Sequence, residues 1–135
     1  EQLHLQRNAI GCRGAVALVR SLAVHTPLLR EIWLSENFLG DETLAELARH
    51  CHVNGPLTRL VILSLSYNRI VNALPLAGAL WSGALKLQIL ALSHNSLSCE
   101  SVFAVSTAMV HRPSGRSGSS QPKSHKSRSN VINIS

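Results

Sequence analysis

One short pattern returns four times along the chain and limits the folds open to it more than any other feature. Aligned on Asn8, Asn37, Asn68 and Asn95, the copies are spaced by 29, 31 and 27 residues. Three and five residues before each asparagine stand apolar side chains: Leu3 and Leu5, Ile32 and Leu34, Leu63 and Leu65, Leu90 and Leu92. Leu29, Leu60 and Leu87 stand eight residues before the last three, and Ile10, Leu39, Ile70 and Leu97 stand two residues after the four. Apolar residues at a period of two predict a short strand with one buried face. Asparagine suits the turn that follows, because its amide both donates to and accepts from backbone groups of adjoining units. Stacked asparagines would satisfy buried backbone groups that are otherwise costly, so these four are expected to be structural.

The stretch between one strand and the next is predicted to be helical. Residues 14–25, "GAVALVRSLAVH", place Val16, Val19, Leu22 and Ala23 at helical spacing. Residues 41–52, "DETLAELARHCH", open on acids suited to a helix start and align Leu44, Leu47 and Ala48. Residues 74–85, "LPLAGALWSGAL", carry Pro75 where an early helical position tolerates it. Residues 99–110, "CESVFAVSTAMV", align Val102, Val105 and Met109. Pro27, Gly55 and Pro56 punctuate the returns. The apolar run from Ala73 to Leu92 is long enough by hydropathy to cross a bilayer. Pro75, Gly78, Gly83 and Lys86 interrupt it, and its second half lies on the repeat, so a buried helix followed by a buried strand is expected.

Written out, the pattern is L-x-x-L-x-L-x-x-N-x-L, and in it the chain resembles the leucine-rich repeat family over residues 1–111. Its unit length is similar to the ribonuclease-inhibitor-like class, and "NAIGCRGAVAL", with Gly11 and Gly14 at turn positions, fits that class. Gly40 keeps the first glycine, while Val71 and Ser98 replace it in later copies. The resemblance implies an α/β solenoid, with short parallel strands on a concave face and helices on a convex one. Neither end shows a polar capping unit, so a piece of a longer solenoid, or self-association covering the ends, is expected.

Charge divides the chain. Residues 1–111 hold eight Lys/Arg against seven Asp/Glu, whereas residues 112–135 hold five Lys/Arg and no acid. That last stretch is rich in Ser, Gly and Pro and is expected to be a disordered basic tail. It is either an uninformative extension or an electrostatic contact for nucleic acid or an acidic membrane. Its basic residues are dispersed and it lacks aromatics for base stacking.

Little in the chain suggests catalysis. Asp41 is the single Asp and reads as a helix-start residue. His50, Cys51 and His52 form the one metal-like cluster, but they lack ligand spacing and adjacent helical residues diverge. Cys12 and Cys99 occupy the same repeat position in the first and last copies, too far apart to bridge, and are expected as buried or half-buried thiols. Three separated cysteines favour a reducing compartment, the cytoplasm or the nucleus. No cofactor, metal or small-molecule substrate is expected, nor any enzymatic activity.

What the repeats offer is a surface. If the Leu pairs point inward, the alternate residues point outward, in rows running His4, Trp33, Ser64, Ala91 and Gln2, Glu31, Ile62, Ile89. Just past each strand come Arg7, Glu36, Tyr67 and His94. Trp33 among small neighbours is either an interface anchor or a cover for Ile62. Trp81, at a helix end, is expected in core or return-loop packing. The resemblance implies a scaffold that docks a protein partner on this face, with Trp33, Tyr67 and Ile62 as anchors beside Ile89. His4, Arg7, Glu31, Glu36 and His94 would form the polar surround. A GTPase-regulating module, a role that this repeat class sometimes serves, is the weaker alternative.

Overall fold

The computed structural model describes residues 1–52, 54–111 and 131–134. Strands and helices alternate: β1 (Gln2–His4), α1 (Cys12–His25), β2 (Glu31–Trp33), α2 (Asp41–His50), β3 (Ile62–Ser64), α3 (Leu74–Trp81), β4 (Ile89–Ala91), α4 (Cys99–Val110) and β5 (Val131–Asn133). The five strands form one all-parallel sheet in chain order. Each helix packs on the next, α1 on α2, α2 on α3 and α3 on α4.

The predicted register is the observed one. Leu3, Ile32, Leu63 and Leu90 pair across adjacent strands, as do His4, Trp33, Ser64 and Ala91. Ile32, Leu34, Leu63, Leu65, Leu90 and Leu92 are wholly buried, and Leu29, Leu60 and Leu87 lie beneath them. Leu3 and Leu5, on the edge strand β1, are partly exposed. From the helices, Ala15, Val19, Leu44, Leu47, Leu76, Leu80, Val105 and Met109 join the same core. Burial of a Leu side chain contributes about 1.5–3 kcal/mol, so the repeated leucines are the main favourable term in this fold.

Side chains at the helix starts fasten one unit to the next. Asp41, expected only as a helix-start acid, also accepts the backbone N–H groups of Val71 and Asn72 at 2.7 and 2.9 Å. Ser101 of α4 accepts from the Ala73 N–H at 2.9 Å. Ser98 caps α4 by accepting from the Ser101 N–H. Gly55 has a steric reason to be glycine: an added Cβ would lie within 3.0 Å of three backbone atoms of His50 and His52.

Several expectations need correction. Helix α1 begins at Cys12, so Gly14 lies inside it and Gly11 is its N-cap. Helix α2 ends at His50. Helix α3 ends at Trp81, since Gly83 follows with φ 73°, a left-handed backbone that closes the helix four residues before Leu87. Val16, Ala48 and Val102 are only half-buried; Ala15, Thr43 and Ser101 take the deepest places instead. Residues 112–135 are not one disordered tail. Val131–Asn133 form β5, because Ile132 and Ile134 repeat the alternation of Leu90 and Leu92 and pack on the same core. Residues 112–130 lie outside the described residues. Among the described residues no helix is long and apolar enough to cross a membrane.

Candidate functional site

The sheet face turned away from the core carries the candidate residues, and its geometry starts with the asparagines. The Asn37 Oδ1 accepts from the Asn8 and Ile10 N–H groups, while its Nδ2 donates to the carbonyls of Leu5, Leu34 and Ser35. Asn68 accepts from the Leu39 N–H at 3.0 Å and donates to Leu34, Leu65 and Ser66. Asn95 accepts from the Ile70 N–H and donates to Leu65, Leu92 and Ser93. Asn8, in the first unit, is exposed and donates to the Gln6 carbonyl.

This ladder holds the chain in one tight turn, repeated four times. The residue just before each asparagine has a left-handed backbone: Arg7 at φ 60°, Glu36 at 58°, Tyr67 at 56° and His94 at 55°. Such a conformation is uncommon for residues other than glycine. In the first three copies it is accompanied by a backbone bond to the next unit, from Arg7 N–H to Ser35, Glu36 N–H to Ser66 and Tyr67 N–H to Ser93. The four side chains are thereby set at equivalent places along one border of the sheet.

They meet in pairs. The Arg7 Nε donates to the Glu36 carboxylate at 2.8 Å. The rings of Tyr67 and His94 stack with centroids 4.0 Å apart. In the strand rows, His4 stacks on Trp33 at 5.7 Å, and the Trp33 indole N–H donates to Glu31 at 3.2 Å. Gln2 and Trp33 hold the Glu31 carboxyl below its ordinary range by hydrogen bonding, and Arg7 does the same for Glu36. Ile62 and Ile89 lie side by side, half-buried, and Val131 of β5 continues their row with its side chain exposed.

All nine predicted residues, His4, Arg7, Glu31, Trp33, Glu36, Ile62, Tyr67, Ile89 and His94, are therefore at least partly open to solvent. They divide into a mainly polar group over β1 and β2, with Trp33 in it, and a mainly apolar group over β3 and β4, with His94 at its end. Trp33 is half-buried, laid against His4 and Glu31. Ser64, expected in an outward row, is not open to solvent. Ser64, Ser66 and Ser93 are buried, because they are small and bond sideways: Ser64 to Ser35 at 2.7 Å and Ser93 to Ser66 at 2.9 Å.

Other features were less legible. Trp81 is not core: it is 53% exposed, tilted against His111. Together with Phe103, 73% exposed, it borders a groove of about 540 Å³ between α3 and α4. Phe103 is two residues from the buried Val105, hence on the other side of α4, and that spacing was the available signal. Glu46, 6% exposed, accepts from Arg20, Arg49 and His50 at 3.0–3.1 Å, joining α1 to α2. Cys51 points into the core, where burial pushes its thiol up to about 12, and His50 turns to Glu46. Among the described residues no three His, Cys, Asp or Glu side chains converge as a metal site. Cys12 is half-buried, but Cys99 is exposed at the start of α4, contrary to expectation. There, one position into the helix, its side chain precedes the first buried residue, Ser101.

Comparison with family models, curated proteins and solved structures finds no match to this chain.

Proposed function

We propose that the chain is part of a leucine-rich-repeat solenoid and that it binds a protein partner through the exposed face of its parallel sheet. The repeat assignment is supported by the L-x-x-L-x-L-x-x-N-x-L register, the asparagine ladder and the strict alternation of strand and helix. The observation that carries the binding role is the ordering of the outward side chains. Trp33, Tyr67, His4 and His94 are held in two ring stacks on one face, beside the adjoining Ile62 and Ile89. Rings already ordered in the free protein lose little conformational freedom on binding, which favours affinity. Partly exposed aromatics flanked by aliphatics are the composition of an interface centre, and the Arg7–Glu36 pair supplies a polar border. In this reading the chain is a scaffold and not an enzyme, acting in the cytoplasm or nucleus without a cofactor.

The test is capture of partners from cell lysate by the full chain, by Trp33→Ala and by Tyr67→Ala, with circular dichroism as the folding control. Either substitution is expected to cost at least about 2 kcal/mol, roughly a thirtyfold loss in affinity. Retention by both, with loss on Phe103→Ser, would move the site to the groove between α3 and α4. Capture that is lost with moderate salt and ignores all three substitutions would replace this reading with an electrostatic one.

A further inference from the structure

Strand β5 differs from the strands it continues. Its backbone is bonded as theirs is: the Val131 N–H donates to the Gln88 carbonyl at 2.9 Å, and the Leu92 N–H donates to the Asn133 carbonyl at 2.7 Å. Ile132 stands in register with Leu90, and Ile134 follows at the next inward position. Its hold on the core is weaker. Both isoleucines are half-buried where Leu90 and Leu92 are wholly buried. In the sequence register, Ser129 occupies the position at which Leu29, Leu60 and Leu87 anchor β2, β3 and β4. Residues 112–130, which lead into the strand, are rich in Ser, Gly and basic residues and contain no Leu, Ile, Val or Phe.

The gain on docking β5 includes a few backbone hydrogen bonds and two half-buried side chains, set against the ordering of four residues. These are terms of similar size, which is the condition under which a terminal strand can open without the rest of the sheet. When it leaves, the Leu92 N–H and the edge of β4 are bare, in the geometry that accepts an added strand.

We propose that the edge of β4 is an acceptor site for an extended peptide with two aliphatic side chains one residue apart, and that the chain fills this site with its own Val131–Ile134 as an exchangeable strand. The occupant already seated there defines the ligand chemistry: an uncharged segment whose alternate Ile side chains enter the core and whose backbone completes the ladder. The site lies at the edge of the sheet, where Val131 extends the outward row, and does not depend on the role proposed for that face.

The experiment uses a fluorescent peptide of sequence NVINIS, a control of sequence NVDNDS, the unmodified full chain, and the full chain carrying Ile132→Asp and Ile134→Asp. Fluorescence anisotropy is expected to show the doubly substituted chain binding NVINIS at least tenfold more tightly than the unmodified chain, with neither binding the control. Equal binding by the two chains, or no binding by a variant that circular dichroism reports as folded, overturns the proposal. Hydrogen exchange on the unmodified chain tests it again without any variant. The Leu92 amide is expected to exchange at least tenfold faster than the Leu65 amide, which donates to the Ala91 carbonyl in the interior of the sheet. Equal rates would mean that β5 does not leave by itself, and that result overturns the proposal whatever the variant does.

Discussion

Each interior asparagine amide serves two units at once, and the sharing decides what its loss would cost. The Leu34 carbonyl accepts from both Asn37 and Asn68, and the Leu65 carbonyl from both Asn68 and Asn95. Removing the Asn68 amide leaves each of those carbonyls one donor, but it strands the Leu39 N–H, whose acceptor is the Asn68 Oδ1 in a buried setting. A buried backbone donor without a partner costs about 1–3 kcal/mol. Asn68→Ala is therefore expected to lose about 2–3 kcal/mol of stability in urea denaturation, and Asn8→Ala, at an exposed site, less than about 1 kcal/mol. Equal losses would mean that the shared amides are not what holds the turns.

Between elements, α1 and α2 are joined by a carboxylate as well as by apolar packing. Glu46 is nearly buried, while the Arg20 and Arg49 side chains that reach it are 61% and 67% exposed. Hydrogen bonding from Arg20 is the main cause that holds the Glu46 carboxyl below its ordinary value of 4.5. A carboxyl depressed in the folded state stabilises the fold above the unfolded value, and that contribution is lost as pH falls through the folded value. Stability is thus expected to decline as pH drops below about 4.5, with Glu46→Gln less stable by about 1 kcal/mol at neutral pH and converging on the parent in acid. Urea midpoints measured across that pH range check this; parallel curves would exclude Glu46 as the titrating link. This junction could not be read from the sequence, because Arg20 and Glu46 are 26 residues apart and meet only once α1 lies on α2. Strands β1 to β4 were legible, since alternation and the asparagine register mark each one. β5 was not, since its alternation is a single Ile132–Ile134 pair that follows a Ser- and base-rich stretch. The end of α3 was missed because the apolar spacing continues through Gly83 to Leu85, and only the backbone shows where the helix stops. The candidate face was legible as rows of residues, but the Tyr67–His94 stack and the Arg7–Glu36 pair were not, because they depend on how the left-handed turns set neighbouring side chains.

At the scale of the molecule, one apolar cluster among the described residues runs from α1 to α4, and Cys51 belongs to it. The thiolate is the reactive form of cysteine, so a buried thiol raised to about 12 is inert until the core opens. Under native conditions iodoacetamide is expected to modify Cys99 first, Cys12 more slowly, and Cys51 only in step with unfolding followed by circular dichroism in urea. Peptide mass spectrometry reads the three sites separately, and Cys51 labelled as fast as Cys99 would mean that the cluster is not closed in solution. The left-handed residues before the four asparagines have a consequence of another kind. At equivalent positions the chain carries Arg, Glu, Tyr and His, which share neither size nor charge, on one backbone shape that the asparagines maintain from behind. Shape and content are inherited separately there. In the binding role proposed for this face, substitution at these positions would exchange one partner preference for another without disturbing the core, within an alphabet from which the left-handed backbone removes proline and disfavours β-branched residues. Such a border can diversify while the framework behind it stays constant.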